Sequence, residues 1–139
     1  MMKGITKRLN VSGEQHCIPT NDQTTRLSHN TPIIIHISDA PNPITIPPVR
    51  EIILGRADAS CPTKPDLDLT PYNAHLKGVS RIHAAIRRGD DVLMLIDLES
   101  VNGTHLNGRR LVPNQPNILH DGDEIHLGKL TMRICSYSQ

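Results

Sequence analysis

The sequence predicts an all-β protein: a β-sandwich of about ten or eleven short strands behind a flexible N-terminal tail. Its apolar residues come in short β-branched or alternating runs, and none keeps a helical period long enough for a convincing helix. The eleven prolines fall mainly between these runs, where a missing N–H costs no ladder hydrogen bond. Asn102-Gly103, Asn107-Gly108 and Asp121-Gly122 mark tight turns, because Asn, Asp and Gly tolerate the backbone angles such turns need.

Taken in order, residues 1–31 are polar, rich in Thr, Ser, Asn and Gln, and lack apolar periodicity, which predicts a flexible tail. Within it Thr24 and Thr25, beside Asp22 and Arg26, are candidate phosphoacceptors. The folded domain is expected over 32–136. Ile33-Ile34-Ile35-His36-Ile37 is a β-branched run suited to a strand. Pro41 and Pro43 break it, Ile44-Thr45-Ile46 forms a second, and Glu51-Ile52-Ile53-Leu54 a third that ends at Gly55-Arg56. From 57 to 78 the chain is mostly loop, punctuated by Pro62, Pro65 and Pro71, with Asp66-Leu67-Asp68-Leu69 as one short strand whose carboxylates face solvent. Arg109-Arg110-Leu111-Val112, Asp123-Glu124-Ile125-His126-Leu127 and Leu130-Thr131-Met132-Arg133-Ile134-Cys135 supply the later strands.

The stretch 79–108 organises the rest. Ile82, Ala84 and Ile86 alternate with His83, Ala85 and Arg87, the turn residues Gly89-Asp90-Asp91 follow, and Val92-Leu93-Met94-Leu95-Ile96 runs back. That is the pattern of a hairpin, and antiparallel pairing returns the Asn102 loop to the side of the Ser80 loop. Serine, arginine and asparagine side chains are therefore expected at one end of a sheet.

Composition narrows the function. With neither Phe nor Trp and only Tyr72 and Tyr137, the core must be aliphatic and aromatic stacking on a ligand is nearly unavailable. A net charge of +1 provides no global field to draw in nucleic acid or an anionic membrane, so an anion must be held by a local cluster. Cys17, Cys61 and Cys135 are an odd number at wide spacing, which suggests neither a disulfide framework nor a zinc site and favours a reducing cytoplasm. The eight histidines show no helical ligand pair, and no metal or cofactor is expected. No signal-peptide core and no apolar window of about twenty residues is present, which predicts a soluble cytoplasmic protein.

Gly55-Arg56, then Ser80-Arg81-Ile82-His83, then Asn102-Gly103-Thr104 with Asn107-Gly108 behind it, form an ordered set that resembles the forkhead-associated (FHA) domain. The resemblance extends over about 32–134 and includes Leu54, Asp97-Leu98 and Asp121-Gly122-Asp123. It implies an eleven-stranded sandwich whose loops at one end bind a phosphothreonine peptide, without catalysis. By position, Arg56 and Ser80 would contact the phosphate, Arg81 would add charge, and Asn102 would bond the peptide main chain. Gly55, His83, Gly103, Thr104 and Asn107 would hold the loops in shape. The expected partners are a phosphothreonine-containing protein and a Ser/Thr kinase; separately from the resemblance, the adjacent Thr24 and Thr25 would make the protein's own tail a ligand once phosphorylated.

The chemistry is consistent with that resemblance. A phosphothreonine carries about −1.5 to −2 charge and several strong acceptor oxygens, so its binder wants cations and donors converging from different loops. One departure stands out: Val101 occupies the place before Asn102 where relatives often carry a polar side chain, and valine offers the phosphate no donor, leaving Lys77 or Arg81 to compensate. Two alternatives remain open on these residues: an FHA-fold assembly module that binds independently of phosphate, and an enzyme built on Ser80, His83 and Asp97, which would require serine and histidine within hydrogen-bond reach.

Overall fold

The computed structural model describes residues 32–136, so Cys17 and the candidate phosphoacceptors Thr24 and Thr25 lie outside the described residues. Strands run in chain order as β1 (Ile33–Ile37), β2 (Ile44–Ile46), β3 (Glu51–Gly55), β4 (Leu67–Asp68), β5 (Ala84–Arg88), β6 (Leu93–Asp97), β7 (Thr104–Leu106), β8 (Arg109–Arg110), β9 (Asn117–Leu119), β10 (Glu124–Leu127) and β11 (Leu130–Ser136). They form two sheets, one ordered β2-β1-β11-β10-β7-β8 and the other β4-β3-β5-β6-β9. The architecture is an all-β, eleven-stranded, two-sheet sandwich, as the resemblance implies.

Alternation builds the space between the sheets. Ile52 and Leu54 on β3, Ala84 and Ile86 on β5, and Leu93 and Leu95 on β6 face Ile33, Ile35, Ile125, Leu127, Leu130, Met132 and Ile134 from the other sheet. This core is aliphatic throughout, and each fully buried Leu or Ile contributes about 1.5–3 kcal/mol of transfer free energy. The 79–108 hairpin forms as the pattern requires: β5 and β6 pair antiparallel with Ala84 opposite Asp97, and the Gly89 N–H closes the turn on the Val92 carbonyl at 2.9 Å.

Several elements depart from expectation, each for a local reason. β7 and β9 are strands of three residues whose length shows no alternation, and β7 forms because pairing with β10 buries Thr104 and Leu106. The strand expected over 66–69 shrinks to Leu67–Asp68, pairs parallel to β3, and is followed by a 3-10 turn at Thr70–Tyr72. Asp66 and Asp68 are not simply solvated: Asp66 Oδ2 accepts from the Ile53 N–H at 2.9 Å and Asp68 Oδ1 from the Ala57 N–H at 2.9 Å. Cys61 carries a free thiol whereas Cys135 is disulfide-bonded, which corrects the expectation of no disulfide and withdraws the cysteine argument for a reducing compartment. Among the described residues, no helix is long and apolar enough to cross a membrane.

Candidate functional site

At one end of the sandwich, loops from both sheets interlock. β3 ends at Gly55, against which the Arg81 carbonyl lies so closely that a Cβ would overlap it. Only glycine permits that approach, and it lets the Arg56 N–H reach the Arg81 carbonyl at 3.2 Å. Arg56 Nε then donates to the Val79 carbonyl at 2.8 Å, which fixes the base of the guanidinium at the Ser80 loop. Asp68 holds the other side of Arg56 through Ala57 and also accepts from the Thr70 hydroxyl at 2.6 Å, the main reason its carboxyl is pulled below the usual range.

His83 joins the Ser80 loop to the Asn102 loop. The Ser80 backbone N–H donates to His83 Nδ1 at 2.9 Å, so the proton of the neutral ring sits on Nε2, which donates to the Gly103 carbonyl at 3.0 Å. The ring is fully buried, and that desolvation lowers its pKa. In the unfolded chain the imidazole takes a proton near 6.5. Below that pH the unfolded state therefore binds more protons, and the contribution of His83 to stability, complete above pH 6.5, falls until the native pKa is passed. The expected result is a Tm that declines more steeply below about pH 6.5 in wild type than in His83→Gln, read by thermal melts across pH 5 to 8.

Asp97, at the end of β6, folds the Asn102 loop. It is buried, and its Oδ1 accepts from the Ser100 hydroxyl and the Thr104 hydroxyl, both at 2.6 Å. Its Oδ2 accepts from the N–H groups of Glu99 at 3.1 Å and Ser100 at 3.3 Å. Ser100 passes the order on, its hydroxyl accepting from the Gly103 N–H at 3.0 Å. Ser100 is not among the expected site residues, but a serine three residues after a strand-terminal aspartate is a turn signal that points to it.

The result is a surface bearing Arg56, Ser80, Arg81 and Asn102. The Ser80 hydroxyl accepts from the Val101 N–H at 3.1 Å, an arrangement that leaves its own proton to donate. Asn102 Nδ2 donates to the Gly78 carbonyl at 2.9 Å, which orients the side-chain amide over Gly78. A shallow open groove of about 400 Å³ runs beside it, lined by Leu76, Lys77, Gly78, Asn102, Gly128 and Lys129. Arg81 is half exposed and pairs with Asp58 Oδ2 at 3.0 Å, and Arg56 Nη1 lies 3.9 Å from the same oxygen. Asp58 is not among the residues that carry the resemblance, and only its position two residues after Arg56 hints at it.

Other expected residues fall differently. Asn107 does not join these loops: it sits at the far end of β7, where its side chain pairs with Asp123 Oδ1 at 3.0 Å and accepts from the Glu124 N–H at 2.9 Å. The Val101 side chain is 82% exposed, so it packs into nothing. Neither expected compensator is idle, since Lys77 pairs with Asp39 at 3.2 Å and Arg81 with Asp58. Ser80, His83 and Asp97 form no triad, because His83 binds the serine's backbone rather than its hydroxyl and Asp97 is spent on Glu99, Ser100 and Thr104.

At this end of the sandwich, interlocked loops thus project arginines, a serine hydroxyl and an asparagine amide. Residues 52–128 match the FHA domain family, and the chain belongs to it. It is similar to protein FraH of Nostoc sp. (strain PCC 7120), at 33% identity over 112 residues, covering 80% of this chain and 37% of FraH. It is also similar to the oxoglutarate dehydrogenase inhibitor of Corynebacterium jeikeium, at 41% identity over 54 residues, covering 39% of this chain and 35% of that protein. The chain thus spans little more than a third of the length of either relative. Among solved structures, an FHA domain described in a study of phosphothreonine-dependent FHA interactions superposes with a TM-score of 0.60 at 27% identity, covering 78% of this chain and 100% of that one.

Proposed function

We propose that this domain binds phosphothreonine-containing peptides, with Arg56, Ser80 and Arg81 on the phosphate and Asn102 on the peptide main chain. The observation that carries this reading is the convergence of the Arg56 guanidinium from one loop with the Ser80 hydroxyl and Arg81 guanidinium from another, braced from beneath by His83 and Asp97. Each of those donors suits a dianion, and charge-assisted bonds of this kind are worth about 1.5–3 kcal/mol. Asn102, with its amide nitrogen held by Gly78, keeps its carbonyl oxygen for a peptide N–H. The open groove beside Asn102 receives the residues that flank the phosphothreonine.

The ligand is a protein phosphorylated by a Ser/Thr kinase, and the domain works where ATP is available to make that mark, in the cytoplasm. Titrating a phosphothreonine peptide and its unphosphorylated twin tests the reading. The phosphorylated peptide is expected to bind at least tenfold tighter, since one lost charge-assisted bond alone costs about 1.4 kcal/mol or more. Ser80→Ala, which removes one donor while leaving the arginines, is expected to weaken binding by about tenfold. Equal affinity for the two peptides would return the domain to phosphate-independent assembly.

A further inference from the structure

We propose that Asp58 is an affinity-setting residue of this site, a tethered carboxylate that holds Arg81 and Arg56 until a phosphate takes them. The inference rests on the phosphothreonine reading and concerns what that ligand must displace. Asp58 is fixed in place by its own loop: Oδ1 accepts from the Ser60 N–H at 3.0 Å and the Ser60 hydroxyl at 2.8 Å. The Cys61 N–H closes the turn on the Asp58 carbonyl at 2.9 Å. Oδ2 is then aimed at Arg81 Nε, 3.0 Å away, with Arg56 Nη1 at 3.9 Å. Oδ1 serves the loop and Oδ2 serves the site.

The two Ser60 bonds, with the arginine charges behind them, lower the Asp58 pKa from 3.8, so the carboxylate is ionised wherever phosphothreonine is a dianion. An incoming anion therefore meets arginines already paired. Because the competitor is part of the chain, its local concentration does not fall on dilution, and it subtracts a constant amount from every anion that uses these guanidinium groups. The phosphate, with more charge and more acceptor oxygens than a carboxylate, retains useful affinity after that subtraction. A peptide carrying glutamate in place of phosphothreonine offers Arg81 only what Asp58 already gives, and drops below useful affinity.

The test measures affinities of wild type, Asp58→Asn and Asp58→Ala for a peptide library with fixed phosphothreonine and degenerate flanks, and for the same library unphosphorylated. Asn preserves the acceptor for Ser60 while removing the charge, and Ala introduces no new donor to the phosphate. Both variants are expected to bind the phosphorylated library about threefold to fivefold tighter, the scale of an exposed ion pair, with thermal melts showing the fold retained. In an Arg81→Gln background the gain is expected to shrink to less than half, because the closer of the two arginines that Asp58 holds is gone and only the 3.9 Å contact with Arg56 is left. Unchanged or weaker binding by both variants, tightening by Asn alone, or an undiminished gain without Arg81 would overturn the role of Asp58. Failure of wild type to prefer the phosphorylated library would instead overturn the phosphothreonine reading, and this inference with it.

Discussion

Replacing Arg56 with alanine is expected to weaken phosphopeptide binding by about a hundredfold, roughly 3 kcal/mol, the upper end for a charge-assisted contact. Two properties make this loss larger than that of any other single side chain on the surface. Arg56 is less exposed than Arg81, with side chains 21% and 51% accessible, so its charge is less screened by solvent. It is also preorganised, since Nε is bonded to the Val79 carbonyl, while Nη1 makes only the long 3.9 Å contact with Asp58. Arg56→Lys keeps the charge but not the fork: an ammonium cannot serve the Val79 carbonyl and a phosphate together, so about a tenfold loss is expected even there. Calorimetric titration of wild type, Arg56→Lys and Arg56→Ala with one phosphothreonine peptide checks the order. An Arg56→Ala protein that binds as tightly as wild type would remove this arginine from the site.

What was legible beforehand follows from how local each signal is. The β-branched run of β1 and the turn-flanked hairpin of β5 and β6 are specified by residues within a few positions of each other, and both form where expected. The hairpin alone brings the Ser80 and Asn102 loops together, which is why the sequence pattern suffices to group those residues. Asn107 shows the limit of the same logic. It lies five positions after Asn102, but the three residues of β7 carry it about 10 Å to the other end of the sheet. Sequence proximity is a poor guide wherever an unnoticed strand intervenes.

The polar residues beneath and beside the site were harder to read. A carboxylate such as Asp68, Asp58 or Asp97 gives the same composition signal whether solvated, loop-bracing or paired with an arginine. Its role is settled by which backbone N–H groups the loop path delivers to it. Asp68 is met by Ala57, eleven residues earlier, only because β4 lies parallel to β3. Gly55 is a different case, since a glycine immediately before the arginine does signal a close approach, here to the Arg81 carbonyl.

Asp97 is where the largest loss of stability is expected. In Asp97→Ala the Ser100 and Thr104 hydroxyls and the Glu99 and Ser100 N–H groups all lose their acceptor, and Thr104 is fully buried. Leaving buried donors unmet costs about 1–3 kcal/mol apiece, and water can reach the Glu99 side of the loop, so a total near 3 kcal/mol is expected. For a domain of this size that lowers Tm by roughly 12 °C or more. Asp97→Asn separates the hydrogen-bond role from the charge. Turned so that its oxygen meets the two backbone N–H groups, the amide presents its NH2 to two hydroxyls that can rotate to accept, and most of the network survives. Asn is therefore expected to cost less than half of what Ala does. Binding follows the loop: Asp97→Ala frees Ser100 from Gly103, lets the Asn102 loop relax, and weakens phosphopeptide binding although Asp97 touches no ligand. Thermal melts and titrations on both variants check this, and equal losses of Tm for Asn and Ala would show that the negative charge, and not the geometry of its acceptors, holds the loop.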